Sequence, residues 1–88
     1  MPTQTRAAVA ERIYVCVREQ AGSDVPLSET TNLYTDLNFD SLDAVEVLMW
    51  VEDEFELAIP DSHVETMETP GPFIDYVVNR LAEQARNP

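Results

Sequence analysis

Ser41 stands in the run Asp36-Leu37-Asn38-Phe39-Asp40-Ser41-Leu42-Asp43, a hydroxyl set among acids. Such a group invites comparison with three chemistries. As a nucleophile it needs a positioned base. The only histidine is His63, and Phe39-Asp40-Ser41-Leu42-Asp43 contains no G-x-S-x-G elbow. As part of a calcium loop, Asp36, Asn38 and Asp40 match the first, third and fifth ligand positions. The match then fails, because Ser41 stands where glycine is required and Val47 where a bidentate glutamate is required. The third possibility is a serine at a helix start. There the unpaired backbone N–H groups favour a negatively charged substituent such as a phosphate ester.

The element that must position Ser41 is a helix. Asp40 is a good N-cap residue, and acids at Asp40 and Asp43 suit a helix start. Leu42–Phe55 contains no Gly or Pro. At about 100° per residue, Ala44, Val47, Leu48, Val51 and Phe55 gather on one face, which reads as the core face. Leu42, Val45 and Met49 form a second apolar stripe on the other side of Ser41, interleaved by Glu46, Glu52 and Asp53. Trp50 falls between the two stripes. One helix in a small domain rarely buries two opposed faces against its own chain. The second stripe therefore reads as a partner surface with Ser41 at its edge, the alternative being a stripe covered by a loop.

Eighty-eight residues make one domain with one small core and no deep cleft of its own. The net charge is −12. All five bases are arginines near the two ends, and from Glu19 to Asn79 there are fifteen acids and no Lys or Arg. Nucleic acid is therefore not an expected ligand, since phosphate contacts need Lys or Arg. An acidic surface steers basic partners instead. No apolar run is long enough to span a membrane, and no signal segment opens the chain. The expectation is a cytoplasmic monomer without a metal site. The single cysteine, Cys16, excludes an internal disulfide and falls among core positions.

The remaining elements follow from periodicity and breakers. Arg6–Gln20 is an amphipathic helix with Val9, Ile13, Cys16 and Val17 on one stripe, ended by Gly22. Ser23–Asp40 is a long connection pinned by Val25, Leu27, Leu33, Tyr34 and Leu37, with room for a helical turn near Asn32–Asp36. Asp61 or Ser62 caps a short helix through Met67, with Val64 and Met67 inward and His63 at the surface. Glu68-Thr69-Pro70-Gly71-Pro72 is a break, and Phe73–Ala85 is the last helix. Residues 1–5 and 86–88 read as frayed tails. The predicted fold is all-α: a four-helix bundle of three longer helices and a short third one, with a long loop between the first two.

The run Asp36-Leu37-Asn38-Phe39-Asp40-Ser41-Leu42-Asp43-Ala44-Val45-Glu46 resembles the phosphopantetheine attachment signature of acyl carrier proteins. The likeness extends through Glu52-Asp53-Glu54-Phe55, Ile59-Pro60-Asp61 and Ile74-Asp75-Tyr76-Val77, and back to Glu11-Arg12-Ile13 and Glu19-Gln20-Ala21-Gly22. It implies a four-helix bundle with 4′-phosphopantetheine, taken from coenzyme A by a separate phosphopantetheinyl transferase, on Ser41. It implies a carrier and not an enzyme. Asp40, Leu42, Asp43, Val45, Glu46, Met49, Glu52 and Asp53 would then meet basic, apolar-centred patches on acyl-chain synthesis or transfer enzymes. Ala44, Leu48, Val51, Ile59, Val64 and Met67, narrowed by Phe73, would line an acyl cavity.

Two departures from the family pattern stand beside Ser41. Asn38 replaces the usual Gly, and Asn is the next most tolerant residue for a left-handed backbone. Phe39 and Trp50 are bulkier than usual and are expected to widen the apolar contact surface beside Ser41. Fatty-acid synthesis fits the acid-rich second helix. A polyketide or specialised lipid pathway fits Phe39 and Trp50. A non-carrier interaction module is the reading in which Ser41 has no covalent role, and a calcium-binding domain is a more remote alternative.

Overall fold

Thr5 starts the first helix: its side-chain oxygen accepts from the Ala8 N–H at 3.1 Å, and α1 runs from Arg6 to Ala21. Gly22 ends α1 at φ 73, donating its N–H to the Arg18 carbonyl at 2.9 Å. This is the left-handed C-terminal cap that glycine adopts without a Cβ penalty. The computed structural model describes residues 5–86. Residues 1–4 and 87–88 of the expected tails lie outside the described residues, whereas Thr5 is a cap and Arg86 belongs to the last helix.

The connection after α1 carries α2, Leu33–Asp36, which is the expected helical turn. Asn32 caps it, accepting from both the Tyr34 and Thr35 N–H groups at 3.0 Å. Next come α3, Ser41–Phe55, a 3₁₀ helix over Asp61–Thr66, and α4, Pro70–Arg86. The described residues contain no strand. The three long helices and the short third one form the predicted bundle. The short one is 3₁₀ rather than α.

The last helix starts three residues earlier than its sequence suggests. First-turn N–H groups have no intrahelical partner, so Pro70 and Pro72 give up nothing there. Gly71 lies between them and donates its N–H to the Glu29 carbonyl at 3.0 Å. A Cβ at Gly71 would sit 3.3 Å from that carbonyl oxygen, a tight contact that loop and helix would relieve by moving apart a few tenths of an ångström.

The core lies where α1 packs on α3 and α4. Val9, Ile13, Val47, Leu48, Val51 and Val77 are fully buried in it. Side chains of this size each contribute about 1.5–3 kcal/mol on burial. Cys16 is buried as expected, and burial pushes its thiol up to about 11, which keeps it protonated. Tyr14 is half-buried and Val15 exposed, matching their positions off the α1 stripe. The Arg6 guanidinium grips the long loop and α4 together, donating to both Glu29 carboxylate oxygens at 2.6 and 2.7 Å and to Asp75 at 2.7 Å.

Candidate functional site

The turn that presents Ser41 is built from its own backbone. Asp36 accepts the Asn32 N–H on its carboxylate at 3.0 Å, closing α2. Asn38 then takes φ 57, the left-handed geometry expected for it. Phe39 follows and turns inward. It is 7% exposed, and its N–H donates to the Leu33 carbonyl at 3.1 Å. Phe39 thus corrects one expectation: it does not widen the surface beside Ser41 but anchors the turn in the core. A residue after a left-handed turn has no periodicity to show which way it points.

Asp40 and Asp43 form a reciprocal capping box. Asp40 accepts from the Asp43 N–H at 3.0 Å, and Asp43 accepts from the Asp40 N–H at 3.1 Å. Gln20 donates its side-chain N–H to the other Asp43 oxygen at 2.9 Å, tying the end of α1 to the start of α3. The Gln20 bond, followed by the one from the Asp40 N–H, holds the Asp43 carboxyl below the usual range. The sequence around Gln20 gives no sign of this contact. A contact between residues twenty-three apart leaves no local signal.

Ser41 is the first residue of α3 and is exposed. The first intrahelical bond is from Ala44 N–H to the Asp40 carbonyl at 3.1 Å, and the Asp43 N–H is taken by the cap. The Ser41 and Leu42 N–H groups are left without an intrahelical acceptor, beside the positive end of the helix dipole. A phosphate ester on this hydroxyl fits such a position, with its oxygens facing donors in solvent.

The second stripe of α3 is open. Leu42 is 64% and Met49 56% exposed, while Val45 is half-buried. Glu46 and Asp53 are exposed beside them. Glu52 differs. Its carboxylate turns to the loop after α3 and accepts the Ile59 N–H at 2.8 Å. Trp50 is exposed and lines a groove with Glu46, Met49 and Asp53, more than two turns of α3 beyond Ser41.

Ala44, Leu48, Val51, Ile59 and Met67 are buried, and Val64 is half-buried. The nearby cavity measures about 10 Å³ and lies among α1, α2, α3 and α4, and of the expected lining residues only Met67 and Phe73 border it. That is roughly the room of one water. The loop leading to the 3₁₀ helix is clasped from α4: Arg80 donates to the Ala58 carbonyl at 3.0 Å and to the Tyr76 hydroxyl at 2.7 Å. His63, expected at the surface, is half-buried with its ring 4.0 Å from that of Tyr76. Among the described residues no group of three or more His, Cys, Asp or Glu is placed to hold a metal. No helix among them is long and apolar enough to cross a membrane.

The structure is a small helical bundle with an exposed serine hydroxyl at the start of α3. Residues 11–77 match the phosphopantetheine attachment site family, and the chain belongs to that family. The prosthetic group of such a domain is 4′-phosphopantetheine, covalently attached, and the family likeness is that of acyl carrier proteins.

Proposed function

We propose that the protein is a discrete acyl carrier protein and that Ser41 is its attachment point. The observation that carries this reading is the Asp40–Asp43 capping box, which fixes an exposed Ser41 at the first position of α3. When bound, phosphopantetheine supplies a terminal thiol that holds acyl groups as thioesters. The chain's own residues position and deliver it. A separate phosphopantetheinyl transferase installs the group from coenzyme A, and separate enzymes do the acyl chemistry.

Asp40, Leu42, Asp43, Val45, Glu46, Met49 and Asp53 form the recognition face for basic, apolar-centred patches on those enzymes. Glu52 supports that face from behind, through the loop. The buried set Ala44, Leu48, Val51, Ile59, Val64 and Met67 opens to admit an acyl chain. With a cavity of about 10 Å³ beside it, that opening requires the loop after α3 and the 3₁₀ helix to move. Fatty-acid biosynthesis in the cytoplasm, as a monomer, is the pathway reading that the acid-rich α3 supports. The exposed Trp50 favours a second one, a dedicated carrier for a polyketide or specialised lipid.

Intact-protein mass after incubation with coenzyme A and a broad-specificity phosphopantetheinyl transferase tests the attachment. One phosphopantetheine is expected on the wild type and none on Ser41→Ala. No addition to a folded wild type removes the proposal.

A further inference from the structure

Large apolar side chains are exposed at four places among the described residues: Val15, Leu42, Met49 and Trp50. Leu42 lies in the first turn of α3, beside Ser41. Met49 continues the Leu42 stripe, and Val15 and Trp50 lie together apart from it. One groove, of about 390 Å³, runs between α1 and α3, with Val15, Glu19 and Trp50 in its walls. A second, of about 310 Å³, holds Met49, Trp50 and Glu46. Trp50 and Asp53 line both, so Trp50 stands between the two grooves and forms a wall of the one that reaches α1 at Val15. At about 1.5 Å per residue, Trp50 stands roughly 13 Å along the helix from Ser41. Nothing in the attachment of a prosthetic group requires apolar surface here.

The charges around the Val15–Trp50 groove restrict its occupant. Glu19, Asp53 and Glu54 rim it. Of the nearby cations, Arg12 is paired with Glu54, and Arg18 donates to the Val25 carbonyl at 2.9 Å. An anionic membrane surface is repelled by this rim and by the net charge of −12. A second copy of the chain would bring the same acids face to face across a two-fold axis. A cationic amphipathic helix matches both features. Its apolar stripe covers exposed hydrophobic surface, and its Lys and Arg meet the acids. The Trp50 ring also offers a face for a cation.

We propose that the Val15–Trp50 groove between α1 and α3 is a second docking surface, which takes a Lys/Arg-rich amphipathic helix of a partner protein. It meets the recognition face only at Asp53 and does not depend on the prosthetic group. A partner seated there leaves the Leu42 end free for an enzyme that handles the acyl group.

The test uses the unmodified chain, so its outcome is independent of the Ser41 chemistry. The isotope-labelled protein is titrated with a synthetic leucine–lysine amphipathic helical peptide. Saturable binding is expected, with the largest NMR shifts at Val15, Glu19 and the Trp50 indole N–H, and a blue shift of emission from the single tryptophan. Val15→Lys and Leu42→Lys change net charge equally. The first is expected to weaken binding by about tenfold and the second by less than about twofold, since a central apolar contact is lost only in the first. The wild-type shift map stands even if a variant folds poorly. Shifts confined to Leu42–Glu46, equal loss in the two variants, equal affinity for phosphatidylglycerol vesicles, or self-association abolished by Val15→Lys would each overturn the proposal.

Discussion

The Glu52 carboxylate accepts the Ile59 backbone N–H at 2.8 Å, across the turn that follows α3. The same glutamate's carbonyl accepts the Leu57 N–H at 3.1 Å. One residue of α3 therefore holds the stretch of loop that leads to Pro60 and the 3₁₀ helix. Glu52→Ala leaves the part-buried Ile59 N–H without that acceptor, at an expected cost of about 1–3 kcal/mol. Urea unfolding measures the loss, and amide exchange at Ile59 should accelerate more than at Val47. An unchanged midpoint would show that the loop holds its shape without this bond.

Glu46 projects from the same helix with no such role in the fold. Glu46→Lys is expected to leave thermal stability within about 0.5 kcal/mol, as for most surface changes. It should slow acyl transfer by partner enzymes at low salt, with the difference shrinking as salt is raised. Transfer rates that match wild type at low salt would remove the acidic face as a recognition element. The contrast with Glu52→Ala separates docking from loop support.

Much of this site was open to reading from sequence because its determinants are local. The Asp40 cap, the acid at Asp43, the unbroken run to Phe55 and the left-handed tolerance of Asn38 all act within a few residues of Ser41. Elements that depend on tertiary contact were not legible. Phe39 is buried because the Asn38 turn directs it inward, and its sequence neighbours offer no period to show this. The Gln20–Asp43 and Glu52–Ile59 bonds join residues whose proximity only the packed bundle creates. Pro70 and Pro72 read as a break, yet proline costs a helix nothing in its first turn, so α4 begins at Pro70.

The Asp43 carboxyl is held below its usual range by the Gln20 N–H first and the Asp40 N–H second. A depressed carboxylate contributes stability that is present above the unfolded value, about 4, and disappears as pH falls through the lower folded value. The stability difference between wild type and Asp43→Asn should therefore be largest near neutrality and narrow in acid. In Gln20→Ala the Asp43 titration, followed by carboxyl carbon NMR, should move upward. A titration that stays in place would mean that the capping box alone sets it.

Glu56 ends α3 at φ 54, left-handed geometry that costs a side-chain-bearing residue about 1–2 kcal/mol. Its negative charge also sits at the negative end of the helix dipole. Glu56→Gly relieves both, against the extra chain entropy that glycine gives the unfolded state. The expected net gain is about 0.5–1 kcal/mol, read as a rise in the thermal midpoint. Glu56→Ala keeps the backbone cost and should gain less. If the two variants unfold together, backbone geometry is not the dominant factor at this cap.

Phe39, just before α3, and Trp50, within it, should respond in opposite ways to removal. Phe39 is 7% exposed beneath the Ser41 turn, and Phe39→Ala leaves a cavity there at a cost of about 3–5 kcal/mol. A domain of this size has about 4–13 kcal/mol in all, so the variant should be close to unfolding at 37 °C. Its Ser41 should be a poorer substrate for the transferase because the turn that presents it loosens. Trp50 is 46% exposed, and Trp50→Ala should change stability by less than about 1 kcal/mol. Modification of Ser41 should then proceed as in wild type, while binding of the cationic helix is lost. Equal destabilisation of the two variants by urea unfolding would contradict this division between an anchor under the site and a contact surface beside it.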